Sequence, residues 1–449
     1  MKLSWIGLLL AACGNVETAE NTRAEIDTND LETLNMNGGE QEAHSQKDEF
    51  ILHGFDWVND PARFNPEYTH NIDELPLRGN LDTQPWSGDY WAKNKGGISY
   101  RWQTEESFDY DILSKEELLA ASPEEIAELS PAEKYDLLVG NYNFALTYKT
   151  LAQGSPTEAS WSGYCHGWSP AALRFEEPHP ITLQNPDGIE IAFGSSDVKA
   201  LLTYFEGEVL TSLTTPDDDW YAETPVLGSV CASGKLEDPA CTDTNPGAFH
   251  IVLGNQIGLE GKGFNMDVDS GTEKWNQPVY AYRAQLIETR PPSQYAEEGT
   301  VIEYIMQTEV HWTVEIHPTW EPVLHTEKQA TSAKTYLYSL EVDANHDIIG
   351  GQWLTPLQDG GYASLAEVWT YFSTLDSDGN GISDLSEERA QASTWQYFDI
   401  PDYLWLHEEI AIPEEFAPIY GPYDIISNNS SSRRKLFHYF AELHQLIEE

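Results

Sequence analysis

An α+β fold is predicted for this chain of 449 residues by three observations. Helix-capping patterns gather in one stretch, alternation of apolar and polar residues recurs over several later stretches, and a cysteine in an aromatic-rich segment, Cys165, sits between the two. The chain exceeds the length of one ordinary hydrophobic core, so two or three domains are expected. Lys and Arg number 24 against 75 Asp and Glu, a net charge of −51 that repels nucleic acid and anionic lipid head groups. A basic or amine-bearing partner is the easier one electrostatically. Hydrophobic residues at 40% and aromatics at 12% suffice for packed cores, which excludes a disordered polyanion.

Residues 1–13 read as an export signal. Met1-Lys2 is a short basic start, Leu3 to Ala12 is apolar, and Leu10-Ala11-Ala12-Cys13 reads as a lipoprotein cleavage box that would leave a lipid on Cys13. The apolar run is shorter than the ~20 residues that span a bilayer. An exported, lipid-anchored bacterial protein of the outer membrane or cell surface is therefore expected. Residues 14–48, rich in Asn, Glu, Thr and Gly, read as a flexible tether.

Residues 49–155 read as a loop-rich and helical region. Turn residues and aromatics alternate through Pro85-Trp86-Ser87-Gly88-Asp89-Tyr90-Trp91, and three helix starts follow. Ser114, Ser122 and Ser130 each stand three residues before a Glu, and Pro123 and Pro131 occupy first helical positions, so three capped helices are predicted.

The catalytic core is expected over 156–360. Trp161-Ser162-Gly163-Tyr164-Cys165-His166-Gly167-Trp168-Ser169-Pro170 crowds small and aromatic residues around one cysteine, at or just before a helix start. There the positive end of the helix dipole favours a thiolate, so a lowered thiol pKa is expected. Ile181 to Leu183 and Ile189 to Phe193 flank Asn185-Pro186-Asp187-Gly188 as a hairpin, and Ser195-Ser196-Asp197 reads as the cap of a helix through Phe205. Gly247 to Asn255 has the pattern of a strand containing His250, and Phe264 to Asp269 of a second strand. Cys, then His, then Asp is the order used by thiol hydrolases and acyl transferases, with His250 taking the thiol proton and Asp267 orienting the imidazole. Asp269 is the reserve orienter. Cys231 and Cys241 are left as a disulfide pair once Cys13 is lipidated and Cys165 is kept free. Val301 to Ile316, Thr335 to Val342 and Ile348 to Trp353 read as an antiparallel sheet extending the core.

Trp275-Asn276-Gln277-Pro278-Val279, with Gly-Tyr-Cys-His-Gly-Trp at 163–168 upstream, resembles the transglutaminase elicitor family, secreted by plant-pathogenic water moulds with relatives in marine bacteria. The resemblance implies a calcium-dependent protein cross-linking enzyme with a papain-like core, and it places the family's nucleophile on Cys165. Where the family's elicitor peptide continues with further basic and aromatic residues, this chain reads Ala281-Tyr282-Arg283, so recognition by plant defences does not carry over.

The region 361–449 is expected to be a C-terminal, β-rich extension carrying a calcium loop. Asp376, Asp378, Asn380, Asp384 and Glu387 stand at positions 1, 3, 5, 9 and 12 of an EF-hand-like loop, with the Ile382 carbonyl at 7 and Gly381 at the sharp turn. Ser383 departs from the apolar residue usual at position 8.

The mechanism expected from sequence is attack of Cys165 on the γ-carboxamide of a protein glutamine, loss of ammonia with His250 as acid, and capture of the thioester by a lysine amine. Tyr164, Trp168 and Trp161 are the expected substrate-side aromatics, with the Trp161 indole a second oxyanion donor beside the Cys165 N–H. A papain-like thiol peptidase or a glutamine deamidase would use the same triad, and a non-catalytic exported binding protein would leave Cys165 structural.

Overall fold

The three capping boxes form as their spacing predicts. Helices α1 (Lys115–Ala120), α2 (Pro123–Ala127) and α3 (Pro131–Leu138) begin after Ser114, Ser122 and Ser130. Each Ser side chain accepts the N–H of the Glu three residues on, and that Glu's carboxylate accepts the N–H of the Ser. The computed structural model describes residues 55–56, 58–210, 225–229, 243–268, 273–357, 361–368 and 400–406. The Cys13 box, the 14–48 tether, the Cys231 and Cys241 pair, Asp269 and the calcium loop with Asp376, Asp378, Asn380, Ile382, Asp384 and Glu387 lie outside the described residues.

Helices α4 (Ala145–Ala152) and α5 (Cys165–Arg174) follow. The predicted hairpin forms from β2 (Ile181–Gln184) and β3 (Glu190–Phe193). At its tip Asn185 Oδ1 accepts the N–H groups of Asp187 and Ile189, and Gly188 takes the left-handed φ of +88° that the turn requires. Helix α6 (Ser195–Tyr204) begins earlier than the sequence predicts, with Gly194 as N-cap. Asp197 Oδ2 reaches back to the Gly194 N–H at 2.7 Å and holds the Lys134 ammonium at 2.6 Å, while Oδ1 accepts the Trp102 indole N–H at 2.8 Å. A carboxylate buried with that many donors is satisfied rather than reactive.

Strands dominate the rest. β1 (Arg78–Asn80) pairs with β6, and β4 (Val226–Gly228), β5 (Phe264–Asp267), β6 (Asn276–Arg290), β7 (Ile302–Thr313), β8 (Thr331–Val342), β9 (Ile348–Pro356), β10 (Tyr362–Ser364) and β11 (Tyr403–Trp405) complete one sheet. Its order is β10-β9-β8-β7-β6-β5-β11-β4, and every paired neighbour is antiparallel. The result is a mixed helix and strand fold. The strands predicted from the alternation beyond residue 300 form as β7, β8 and β9, adjacent to one another on the β10 side of the sheet, and β11 is supplied by the region expected to be an extension.

Two apolar clusters flank the site. One gathers Trp86, Trp91, Tyr164, Trp168 and Phe193 with the faces of α3, α5 and α6. The other packs Phe249, Ile251 and Val252 against Phe264, Met266, Val279, Tyr338 and Trp353. The second corrects the sequence reading of His250. Residues 246–252 form a helix, α7 (Pro246–Val252), because Pro246 takes the first position and Asn245 Oδ1 caps the Gly247 N–H at 2.8 Å. An apolar run buried on all sides carries no period that would separate helix from strand.

No helix among the described residues is long and apolar enough to cross a membrane.

Candidate active site

Cys165 is the first residue of α5 and buried, with 7% of its surface exposed, so the predicted placement at a helix start holds. The close approach of α5 to α6 sets its position. A Cβ on Gly167 would meet the Thr203 carbonyl oxygen at 2.0 Å and the Gly207 nitrogen at 2.9 Å, so only glycine lets these backbones touch. Across from the helix, the Cys165 thiol donates to the Lys274 carbonyl oxygen at 3.4 Å, and Asn276 Nδ2 donates to Sγ at 3.8 Å. The Asn276 amide is fixed in that orientation because its oxygen accepts both Tyr403 O–H at 3.0 Å and Trp405 Nε1–H at 2.7 Å.

Register explains why these groups meet. Asp267 pairs with Asn276 and Asn265 with Pro278, so Asn265 and Asp267 share one face of the sheet with Asn276. That face carries α5, since Ser169 Oγ bonds Asn265 Oδ1 at 2.6 Å. Asp267 Oδ1 accepts the Trp275 N–H at 2.8 Å, which holds the turn that presents the Lys274 carbonyl and the Asn276 amide to the sulfur.

The thiol is raised, not lowered as the helix start predicts. Burial pushes it up to about 11; the Asn276 backbone and side-chain hydrogen bonds pull the other way, and the Glu315 and Asp267 carboxylates add to the rise. Desolvation of the thiolate outweighs the helix dipole here. Glu315 is itself raised by burial to about 7, with the Gln277 hydrogen bond opposing and Asp89 adding repulsion. Gln277 Nε2 donates to both Glu315 oxygens at 2.9 Å.

His250 is not part of this constellation. Its Nδ1 pairs with Tyr338 O–H at 2.8 Å, and that hydroxyl bonds Thr308 Oγ1 at 2.7 Å. Phe264 and Met266 face the cluster of α7 while Asn265 and Asp267 face α5, so the sheet stands between the imidazole and the sulfur. Burial also lowers the imidazole to about 4, too weak a base for a thiol. Asp267 accordingly orients the 274–276 turn rather than an imidazole. Tyr164 and Trp168, expected as cleft walls, are both fully buried and back the nucleophile from within the core. The Tyr164 hydroxyl donates to Gln153. Trp161, 36% exposed, stands at the surface.

The groups that sequence reasoning missed are Asn276 and Glu315, with Gln277 between them. The first and last of these three hide in plain view, inside and beyond the Trp-Asn-Gln-Pro-Val stretch. The signal for Asn276 was the motif itself, but its contact with Cys165 spans 111 positions, which no local pattern encodes. Tyr90 and the partly buried Trp275 also flank the site as a tilted ring pair 6.4 Å apart.

A family model described as transglutaminase elicitor matches residues 147–361. No curated protein matches the chain. The crystal structure of the GP42 transglutaminase from Phytophthora sojae is similar at 19% identity and a TM-score of 0.47, covering 77% of this chain and 88% of that one. The family match takes in Cys165, Asp267, the Trp-Asn-Gln-Pro-Val stretch and Glu315 together, and it bears out the resemblance of this segment to the transglutaminase elicitor family.

Proposed function

We propose that the chain is a protein-glutamine γ-glutamyltransferase that works through a Cys165 thioester. The observation that carries this reading is the convergence on one sulfur of a helix start, the Asn276 amide and two carboxylates, inside the family-matched segment. With the thiol near 11, only about one molecule in ten thousand is a thiolate at pH 7, so the attack needs a base acting in concert with it. Glu315, poised near 7, suits that task better than the buried imidazole does.

The Cys165 sulfur adds to the carboxamide carbon while its proton passes to the Glu315 carboxylate. That proton then goes to the departing amide nitrogen, ammonia leaves, and the thioester remains. A primary amine attacks the thioester, forms the isopeptide bond and returns a proton to the sulfur. The Asn276 Nδ2–H and the N–H groups of the first turn of α5 are the donors for the developing oxyanion. A cysteine-bearing helix packed on an antiparallel sheet also supports the papain-like organisation implied by the resemblance.

Release of ammonia together with incorporation of a primary amine into a glutamine-bearing protein is the decisive assay. Ammonia without incorporation would make the chain a deamidase, and peptide cleavage with neither would make it a peptidase. Activity should rise as Glu315 loses its proton, with a rising limb centred near pH 7. Glu315→Gln should remove that limb and lower the rate by roughly 10²–10⁴-fold. A limb that survives the substitution would assign the base elsewhere.

Calcium binding by Asp376, Asp378, Asn380, the Ile382 carbonyl, Asp384 and Glu387 belongs to the same proposal and is supported by the loop's spacing and its hard oxygen donors. Glu387 supplies two oxygens in such loops, so Glu387→Ala should weaken calcium binding more than removal of any other single side chain, read by calorimetric titration. Unchanged affinity would end the EF-hand reading.

A further inference from the structure

We propose that Asp89, Glu315 and Gln277 form the subsite that receives the attacking amine, taking a protonated primary alkylamine such as a lysine side chain. The inference rests on the acyl-transfer reading of Cys165.

Backbone bonds hold the three beside the sulfur. The Tyr164 N–H donates to the Tyr90 carbonyl at 2.6 Å, fixing the Asp89-Tyr90 segment against the N-cap of α5. The Ile316 N–H donates to the Gly88 carbonyl at 2.8 Å, fixing Glu315 beside the same segment. Glu315 acts electrostatically on Cys165 and is itself acted on by Asp89, and Gln277 follows Asn276, whose amide addresses the sulfur. Two carboxylates are thus held close to each other, with Glu315 acting on the nucleophile and Asp89 on the segment bonded to its helix start.

The second observation is the Gln277 amide. Gln277 is 3% exposed, its Nε2 is committed to Glu315, and its Oε1 is shut off from water without a hydrogen-bond partner. A buried acceptor left unpaired lowers stability unless a ligand donates to it. An alkylammonium carries three N–H donors and no acceptor, which matches two carboxylates and one amide oxygen. Burial raises Asp89 to about 6 and Glu315 to about 7, and a cation beside them would favour the charged form of both. Lys95 and His317 also act on Asp89. The Lys95 ammonium lies over the Tyr100 ring at 5.0 Å, and His317 is exposed. One Asp89 oxygen accepts the Trp91 N–H at 2.6 Å.

The subsite also prepares the nucleophile. An ammonium cannot attack until it loses a proton; the Glu315 carboxylate takes it, the neutral nitrogen forms the bond to the thioester carbon, and its second proton leaves with the sulfur. Hydroxylamine, uncharged at neutral pH, needs no such site.

The test compares cadaverine and hydroxylamine as acceptors in wild type and Asp89→Asn. Use of cadaverine relative to hydroxylamine should fall about tenfold through a raised cadaverine KM, and an unchanged ratio overturns the proposal. Gln277→Met carries the same comparison should Asp89→Asn fail to fold. Independently, cadaverine titrated into the Cys165→Ala protein should bind, and binding should be lost when Asp89→Asn is added. Absence of binding to Cys165→Ala overturns the subsite. Binding that depends on Asp89, in a wild type that neither releases ammonia nor incorporates amine, would keep the ammonium subsite and remove the acyl-transfer reading.

Discussion

Cys165→Ala is expected to lower amine incorporation by about 10⁴-fold or more, because removal of a covalent nucleophile leaves only binding and oxyanion stabilisation. The fold should survive. The thiol's contacts are a 3.4 Å bond to the Lys274 carbonyl and a 3.8 Å approach from Asn276, both weak for sulfur, so their loss should cost about 1 kcal/mol or less. Activity that persists in a folded Cys165→Ala protein would remove the thioester and everything built on it. The measurement is amine incorporation beside a melting curve on the same sample.

Gly167→Ala should give the largest loss of stability from a single methyl group. The added Cβ would sit 2.0 Å from the Thr203 carbonyl oxygen and 3.0 Å from the Gly207 Cα, and both are backbone that no rotamer change can move aside. Gly207 faces the same crossing, where its own Cβ would meet the Gly167 Cα at 3.1 Å. Helix α5 must therefore shift away from α6, at a cost of about 3 kcal/mol or more. That corresponds to a fall in melting temperature of roughly 6–12 °C for a domain of this size. Cys165 moves with α5, so activity should fall further than stability. A variant that melts with wild type would show that the two helices do not pack as tightly as described.

What the sequence made legible divides along the range of the interactions involved. The capping boxes at Ser114, Ser122 and Ser130, the Asn185 hairpin and the strands beyond residue 300 are written in spacings of two to four residues, and all of them form. Cys165 at a helix start was legible for the same reason. Its proton affinity was not, since burial depends on what packs over the thiol, and the packing groups come from strands about a hundred positions away. His250 failed on two counts. A run buried on every side hides its period, and chain order says nothing of which face of a sheet a residue occupies. Glu315 stood inside the predicted strand Val301 to Ile316 and lies two residues beyond the observed β7, but only the antiparallel return of β6 and β7 brings it to Gln277.

The Asn276 amide owes its orientation to Tyr403 and Trp405, and the second of these bonds closes across 129 positions of chain. During synthesis the cysteine helix, Asp267 and Glu315 all leave the ribosome long before Trp405 does. Until then the strand between β4 and β5 is missing, and nothing from β11 holds the amide that faces the sulfur. The nucleophile therefore emerges well ahead of the groups that aim a donor at it, and over that interval the nascent chain carries its thiol without a finished site.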